Sequence, residues 1–227
     1  MASPENNYDV EALKRRIATQ GHRKVVGGLW DVIGPMQRNY LADVGHKPSD
    51  TLLDVGCGSL RGGKHLIEWL QPGRYHGFDI SQDLLDAGYK KELTDNQRER
   101  LPRHQLADGN RFSFPKTWAN IDRAFAFSLM THLNLNSIGL LFHQLGRVLS
   151  PAAEFHTTVF DIPDGDDWTL SLTHPAGITT YPDKDPYHYT ADQLDSVSRQ
   201  FGFELKSVNA FGHPRDQKMA VFRRTNP

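Results

Sequence analysis

A single cysteine, Cys57, stands among 227 residues, so no internal disulfide is available and the fold must rest on a packed core. Charge of one sign is not in excess either. Lys+Arg 26 against Asp+Glu 27 gives a net charge of -1, which leaves no global field to hold nucleic acid or an anionic membrane surface. No stretch approaches the roughly 20 apolar residues of a membrane span; the most apolar are Ala124–Met130 and Ile138–Phe142. The opening residues MASPENNYDVEALKRR have no apolar core of the kind a secretory leader needs, and together with the lone cysteine they predict a cytoplasmic protein. There is no internal repeat and no low-complexity tract. What is present is a length that suits one large α/β domain and would cramp two, together with 11 histidines whose positions must be read one by one.

Residues 1–49 read as an N-terminal helical extension, a lid on the rest. Val10, Leu13 and Ile17 form an apolar stripe against Glu11, Lys14, Arg15 and Arg16. The glycine-rich stretch 21–34 suits a mobile connection, and Pro35 suits the first turn of a second helix that Gly45 stops. From residue 50 onward short apolar runs alternate with amphipathic stretches. Strands are expected at Thr51–Val55, Tyr75–Ile80, Gln105–Ala107, Ala124–Ser128 and Phe155–Phe160, with helices at 61–70, 81–93 and 136–149. That alternation means a doubly wound α/β fold with a parallel sheet covered on both faces. Thr190 and Gln193 have the spacing of a capping box, Gly202 can stop the helix they open, and Glu204–Val208 and Lys218–Arg223 should pair as an antiparallel hairpin at one edge.

Residues 52–63, LLDVGCGSLRGG, run from a strand through glycines into a helix start. In a doubly wound sheet the ligand crevice lies beyond the carboxyl ends of the strands, and glycines there let a ligand approach the backbone. Asp79 ends the next strand, where a carboxylate can take both hydroxyls of a ribose. Two carboxylates, Asp54 and Asp79, near one ligand point away from a polyphosphate. The dinucleotide pattern G-x-G-x-x-G is also missed, because Arg61 stands where its third glycine belongs and Gly62 comes one residue late.

From about residue 50 to 224 the chain resembles the class I S-adenosylmethionine-dependent methyltransferases. The resemblance is carried by LLDVGCGSLRGG, FDIS, LADGNRF, FAFSLMTHL and the closing hairpin, in that order. It implies a Rossmann-like seven-stranded sheet with the last strand antiparallel, and S-adenosylmethionine as cofactor. Asp54, Gly56, Cys57 and Gly58 would lie against its methionyl part. Asp79 would hold the ribose, Ile80 would pack on the adenine, and Asp108 and Gly109 would meet the adenine edge. Ser128 and Leu129 would line the reactive end. Related chains often fold the N-terminal connection over the cofactor, so Arg23 would neutralise the methionyl carboxylate while Trp30 shields the sulfonium. Cys57 reads as a small packed residue, since nothing basic adjoins it.

Acceptor chemistry is expected in two places. His132 follows the fourth strand, and the segment 160–190 is long enough to be a functional lid insertion. Tyr187 and His188 stand just before the helix cap and cannot stray far from the sheet, so with His132 they are the candidates for base or acceptor contact. The acidic run Asp161, Asp164, Asp166 and Asp167 has oxygen donors for magnesium, but Ser128 stands where a carboxylate would complete the set, so no metal is expected. Ser128-Leu129 likewise departs from the pattern of adenine amino-methyltransferases. The expectation is a methyltransferase acting on oxygen or nitrogen of a small-molecule acceptor, with no nucleic-acid or membrane partner and the oligomeric state open. The alternatives are a protein or peptide acceptor, a non-catalytic cofactor-binding module, and a nicotinamide-dependent oxidoreductase.

Overall fold

The computed structural model describes residues 10–163 and 165–225. Its contacts divide the chain into two compact units, Met1–Pro115 and Lys116–Pro227.

The first unit holds helices α1 (Val10–Gln20), α2 (His22–Val25) and α3 (Trp30–Asp43), then β1 (Leu52–Val55), α4 (Gly63–Trp69), β2 (Tyr75–Asp79), α5 (Gln82–Lys91), α6 (Asp95–Arg100) and β3 (Leu106–Asp108). The second holds β4 (Ile121–Ala126), α7 (Leu135–Val148), β5 (Leu149–Val159), the two-residue strands β6 (Leu172–Thr173) and β7 (Thr179–Thr180), α8 (Ala191–Arg199), β8 (Phe203–Asn209) and β9 (Lys218–Arg224). Seven strands make one sheet in the order β3-β2-β1-β4-β5-β9-β8. Within it β1 and β2, β2 and β3, and β4 and β5 pair in parallel, while β9 runs antiparallel to both β5 and β8. The doubly wound sheet with its last strand reversed is therefore as expected. The closing hairpin occupies one edge, with β9 inserted between β5 and β8.

Buried aliphatic residues explain the first unit's strands: all of β1 is buried, Leu52, Leu53 and Val55 among them, and a strand apolar on both faces must be central. In the second unit Phe142 of α7 packs edge-on against Phe155 and Phe222 and tilted against Phe203, joining the helix to β5, β9 and β8. Each such ring contributes on the order of 2 kcal/mol by leaving water.

Three local expectations change. The 21–34 stretch is not one open connection, because it holds α2 and the first turns of α3. Trp30 and Ile33 are buried there, and that burial carries the helix five residues ahead of Pro35, which sits inside it at the cost of one backbone bond. A helix absent from the sequence reading, α6, is opened by Thr94 and Gln97, which cap each other's backbone N–H groups. Finally β5 begins at Leu149, six residues before the expected Phe155.

Candidate active site

In the first unit the glycine loop turns back on β2. Gly56 and Cys57 both donate their N–H to the Phe78 carbonyl, at 2.7 and 3.2 Å, while Gly56 (φ 73) and Gly58 (φ 55) take left-handed conformations that favour glycine. Gly58 is also crowded: a Cβ there would stand 2.8 Å from the Val26 side chain. The late glycine has its own reason. A Cβ on Gly62 would meet the Gln37 side chain at 2.2 Å, so that position lets α3 lie close to the loop. Arg61, in the dinucleotide glycine's place, donates to the carbonyls of Val26 and Gly28, both at 2.9 Å, and thereby ties the loop to the N-terminal segment.

Asp79 is buried at the end of β2. Its Oδ2 accepts the Gly58 N–H at 2.8 Å and its Oδ1 accepts the Ser81 N–H at 3.0 Å. Burial raises its pKa to about 6, against the pull of those backbone bonds. Asp54, also buried, accepts the Tyr75 hydroxyl at 2.7 Å, and burial raises its pKa to about 7, with Asp79 adding to the rise. Cys57 lies beside both; burial pushes its thiol up and the two carboxylates add to it, so it carries no thiolate. Gly109 donates to the Asp79 carbonyl at 3.2 Å, which brings the end of β3, with exposed Asp108, next to the end of β2.

The N-terminal helices cover this region. Leu13, Val25 and Leu84 form a buried cluster with Ile17, Val26 and Ile80 packed on it, so Ile80 sits under α1 and α2. Trp30 is buried, its Nε1 donates to the Arg23 carbonyl at 3.1 Å, and Arg23 lies over its ring at 4.8 Å. The open guanidinium fork expected at Arg23 is closed: Nε and Nη2 donate to the two oxygens of Glu92, each at 2.7 Å, and His22 shares that carboxylate. Glu92 follows α5 and lies 69 residues from Arg23 in sequence, so nothing in the local pattern signals the pair.

Do these residues fit S-adenosylmethionine? A carboxylate oxygen has room for more than one hydrogen bond, so Asp79 keeps capacity for ribose hydroxyls beside its two backbone donors. The buried hydroxyl of Ser59, in the same loop, has no hydrogen-bond partner. The loop's buried charges are carboxylates, Asp54 and Asp79, with Arg61 committed to backbone carbonyls. That donor set suits a cationic, hydroxyl-bearing ligand and suits a diphosphate poorly.

The second unit holds the candidates for acceptor chemistry. Ser128 (φ 59) ends the turn after β4 and is pinned by Thr158, which accepts its N–H at 2.7 Å, and by Gln217, which accepts its hydroxyl at 3.0 Å. Leu129 then leads into a single 3-10 turn, Met130–His132. His132 Nδ1 donates to Asp185 at 2.6 Å, which fixes the orientation of the ring. Tyr187 donates its N–H to the Thr131 carbonyl at 2.7 Å, which holds the insertion against the turn that carries His132.

His188 has a different place. The Trp168 carbonyl can only accept, so His188 donates from Nε2 at 3.0 Å, and its Nδ1 shares a hydrogen bond with the Thr180 hydroxyl at 2.8 Å. Thr180 also shares one with His174 Nε2 at 3.0 Å and lies 3.4 Å from the Leu172 carbonyl. His188 is 2% exposed, and both of its ring nitrogens have partners within the insertion. Its hydrogen bonds join three parts of the insertion, and its side chain also lines the cavity described next.

Tyr187, His188 and Tyr189 line a cavity of about 310 Å³ together with Asn134, Leu135, Asn136, Trp168, Pro182 and Gln193. Asp185 and the amides of this cavity escaped the sequence reading; only the length of the insertion signalled them. Of the acidic run, Asp161 pairs with Lys218 at 2.7 Å and Asp167 accepts from Thr169, while Asp164 lies outside the described residues. Among the described residues no three metal-binding side chains cluster, and no helix is long and apolar enough to cross a membrane.

Residues 53–155 match the family described as "Methyltransferase domain". Several solved structures share the fold. One is magnesium protoporphyrin IX methyltransferase from Synechocystis PCC 6803 with bound S-adenosylmethionine, 12% identical over 99% of this chain and 100% of that one, with a TM-score of 0.65. Another is the glycopeptide N-methyltransferase MtfA with the same ligand, 15% identical over 86% of this chain and 94% of that one, TM-score 0.62. A third is the CcbJ methyltransferase from Streptomyces caelestis, 15% identical over 85% and 90%, TM-score 0.61.

Proposed function

We propose that the chain, whose residues 53–155 match a methyltransferase domain, moves a methyl group from S-adenosylmethionine to an oxygen or nitrogen of a small molecule. The observation that carries the reading is Asp79, a buried carboxylate presented by the glycine loop with capacity left for a ribose. When bound, the cofactor supplies a methyl group activated by a sulfonium, open to in-line displacement.

The chain's own residues then have three tasks. Asp79 holds the ribose, and Gly56, Cys57 and Gly58 bring the backbone against the methionyl part, with Asp54 near the amino group. Asp108 and Gly109 serve the adenine edge, while Ser128 and Leu129 keep the reactive end that the family resemblance gives them. The second task is exclusion of water, which falls to the N-terminal cap of residues 1–49. Arg23 and Glu92 fasten α2 to α5 there, Trp30 packs behind them, and Ile80 lies between cap and adenine. The third is the proton. An alcohol, phenol or ammonium needs a base, and His132 with Asp185 has the form of one: the carboxylate orients the imidazole and balances the charge it gains. Tyr187 contacts the acceptor.

Titration calorimetry with S-adenosylmethionine, followed by labelled-methyl transfer over a metabolite panel, tests the reading. Binding of the cofactor and transfer to at least one small acceptor are expected. Absence of cofactor binding, or transfer only to proteins, refutes it.

A further inference from the structure

The cavity beside Tyr187 has an uneven chemistry. Three aromatic rings line it, those of Trp168, Tyr187 and Tyr189, and the two tyrosine rings lie nearly parallel, 19° apart with centroids at 6.3 Å. The rest of the wall is amide or aliphatic apart from His188, and among the described residues no Lys, Arg, Asp or Glu lines it. Aromatic faces carry negative potential. Two carboxylates act on Tyr187 from the same segment: its pKa is raised first by burial and then by Asp185 and Asp183. The same segment already seats one ammonium on a tyrosine, for Lys184 Nζ stands 4.1 Å from the centre of the Tyr181 ring.

We propose that this cavity takes a cation, and that the acceptor of the methyl group is a primary or secondary amine on an apolar body, its ammonium seated against Trp168 and Tyr187. The proposal rests on the methyltransferase reading and narrows it. A carboxylate acceptor would sit among aromatic faces with no countercharge and with Asp183 and Asp185 nearby, so both neighbours oppose it. An alcohol gains nothing from the same field. An ammonium gains from both, and 310 Å³ has room for a small amine and not for a macromolecule's fold.

Amine chemistry also gives His132 and Asp185 a definite task. An ammonium has no lone pair, so the nitrogen must lose one proton before it can attack. That proton passes to His132, the nitrogen–carbon bond forms as the methyl–sulfur bond breaks, and the sulfur keeps the electron pair as a neutral thioether. The amine leaves with one more methyl group and the imidazolium of His132 is balanced by Asp185.

The test begins without a methyl donor, so binding is read apart from activity. Calorimetry compares 4-hydroxyphenyltrimethylammonium with its neutral isostere 4-tert-butylphenol and with 4-hydroxyphenylacetate, each added to the full chain with the cofactor's thioether product present. The cation should bind roughly tenfold tighter than the isostere, the range of a partly desolvated cation–aromatic contact, and the anion should not bind. Trp168→Ala should remove that preference while Trp168→Phe keeps most of it, and Asp183→Asn should reduce it. Transfer of labelled methyl to 2-phenylethylamine should exceed transfer to 2-phenylethanol. Equal or tighter binding of the isostere or the anion, a preference untouched by Trp168→Ala, or no binding of any of the three overturns the proposal. S-adenosylmethionine binding measured in the same samples separates the two readings: if it persists while the cation preference is absent, the amine assignment fails and the methyltransferase reading stands.

Discussion

Asp79 and His132 are each held by a specific partner, but the partners come from very different distances along the chain. Asp79 takes its N–H donors from Ser81, two residues on, and from Gly58 in the preceding strand-to-helix turn. His132 takes its carboxylate from Asp185, 53 residues away across α7, β5 and most of the insertion. The surroundings of Asp79 are therefore set by backbone N–H groups, one of them 21 residues away on the neighbouring strand's turn, where a glycine pattern marks the place. The acceptor region is set by how a long loop packs, which depends on side chains with no fixed spacing. Changes in the glycine loop should act on cofactor affinity, and changes in the insertion should act on turnover or acceptor affinity.

The largest effect that can break this division is expected at His132, the proposed base. His132→Asn should lower kcat by about a hundredfold or more, the usual contribution of a general base, with S-adenosylmethionine affinity unchanged by calorimetry. Asp185→Asn should lower it less and move the pH profile, because the imidazole stays in place without its countercharge. A large loss of cofactor affinity in either variant would show that the two regions are one.

Asp79→Ala is next. Losing hydrogen bonds to a charged partner should weaken cofactor binding by about 2 kcal/mol, roughly thirtyfold, with acceptor KM kept. Unchanged cofactor affinity would remove the ribose assignment. For His188 the reading is structural, so His188→Leu should lower unfolding stability by about 1–3 kcal/mol, since it takes a hydrogen-bond partner from the buried Thr180 hydroxyl and from the Trp168 carbonyl. Denaturant titration measures this. A fall in kcat at unchanged stability would return His188 to the chemistry.

Asp54 sharpens the comparison through pH. Its folded pKa of about 7 lies above the ordinary carboxylate value, so the folded state keeps a proton that the unfolded chain releases from about pH 4 upward. The stabilisation is full below that point and is lost as pH rises through about 7; Asp79, at about 6, acts in the same direction. His76 and His156, pushed down to about 4 by burial, act oppositely and are lost as pH falls. The clean quantity is thus the difference between wild type and Asp54→Asn. Wild type should lose stability relative to the variant as pH rises from about 5 to about 8 in urea melts; a flat difference would mean that Asp54 is solvated.

The smallest effect is expected at Arg23. If it fastens the cap through Glu92, then Arg23→Ala should weaken cofactor binding only about two- to threefold, since the exposed guanidinium acts at the cap and His22 stays on the buried carboxylate. A loss as large as that of Asp79→Ala would mean that the guanidinium leaves Glu92 for the cofactor's carboxylate.

Much of this was legible beforehand, for identifiable reasons. The seven strands follow from apolar runs with punctuation, α8 from its Thr190 and Gln193 box, and the cofactor loop from glycines that only a left-handed turn or a close approach requires. The extent of α3 was misread because Pro35 is a strong local signal, and the burial of Trp30 and Ile33 that overrides it is a long-range fact. His188 looked as chemical as His132, for both are histidines beside a candidate pocket. What separates them is the partner on each ring nitrogen, supplied by Thr180 and Trp168 in one case and by Asp185 in the other.

The alternation of apolar runs and the glycine pattern determined by themselves a doubly wound α/β sheet with its last strand reversed and a glycine loop beside Asp79. They could do so because strand alternation, turns and backbone approach are local properties of the chain. Tertiary structure alone decided that Glu92 holds Arg23, that Asp185 holds His132, and that Trp168, Tyr187 and Tyr189 enclose one cavity. Those pairings depend on loops closing over tens of residues, where a side chain's chemistry is set by whichever group the packing brings to it.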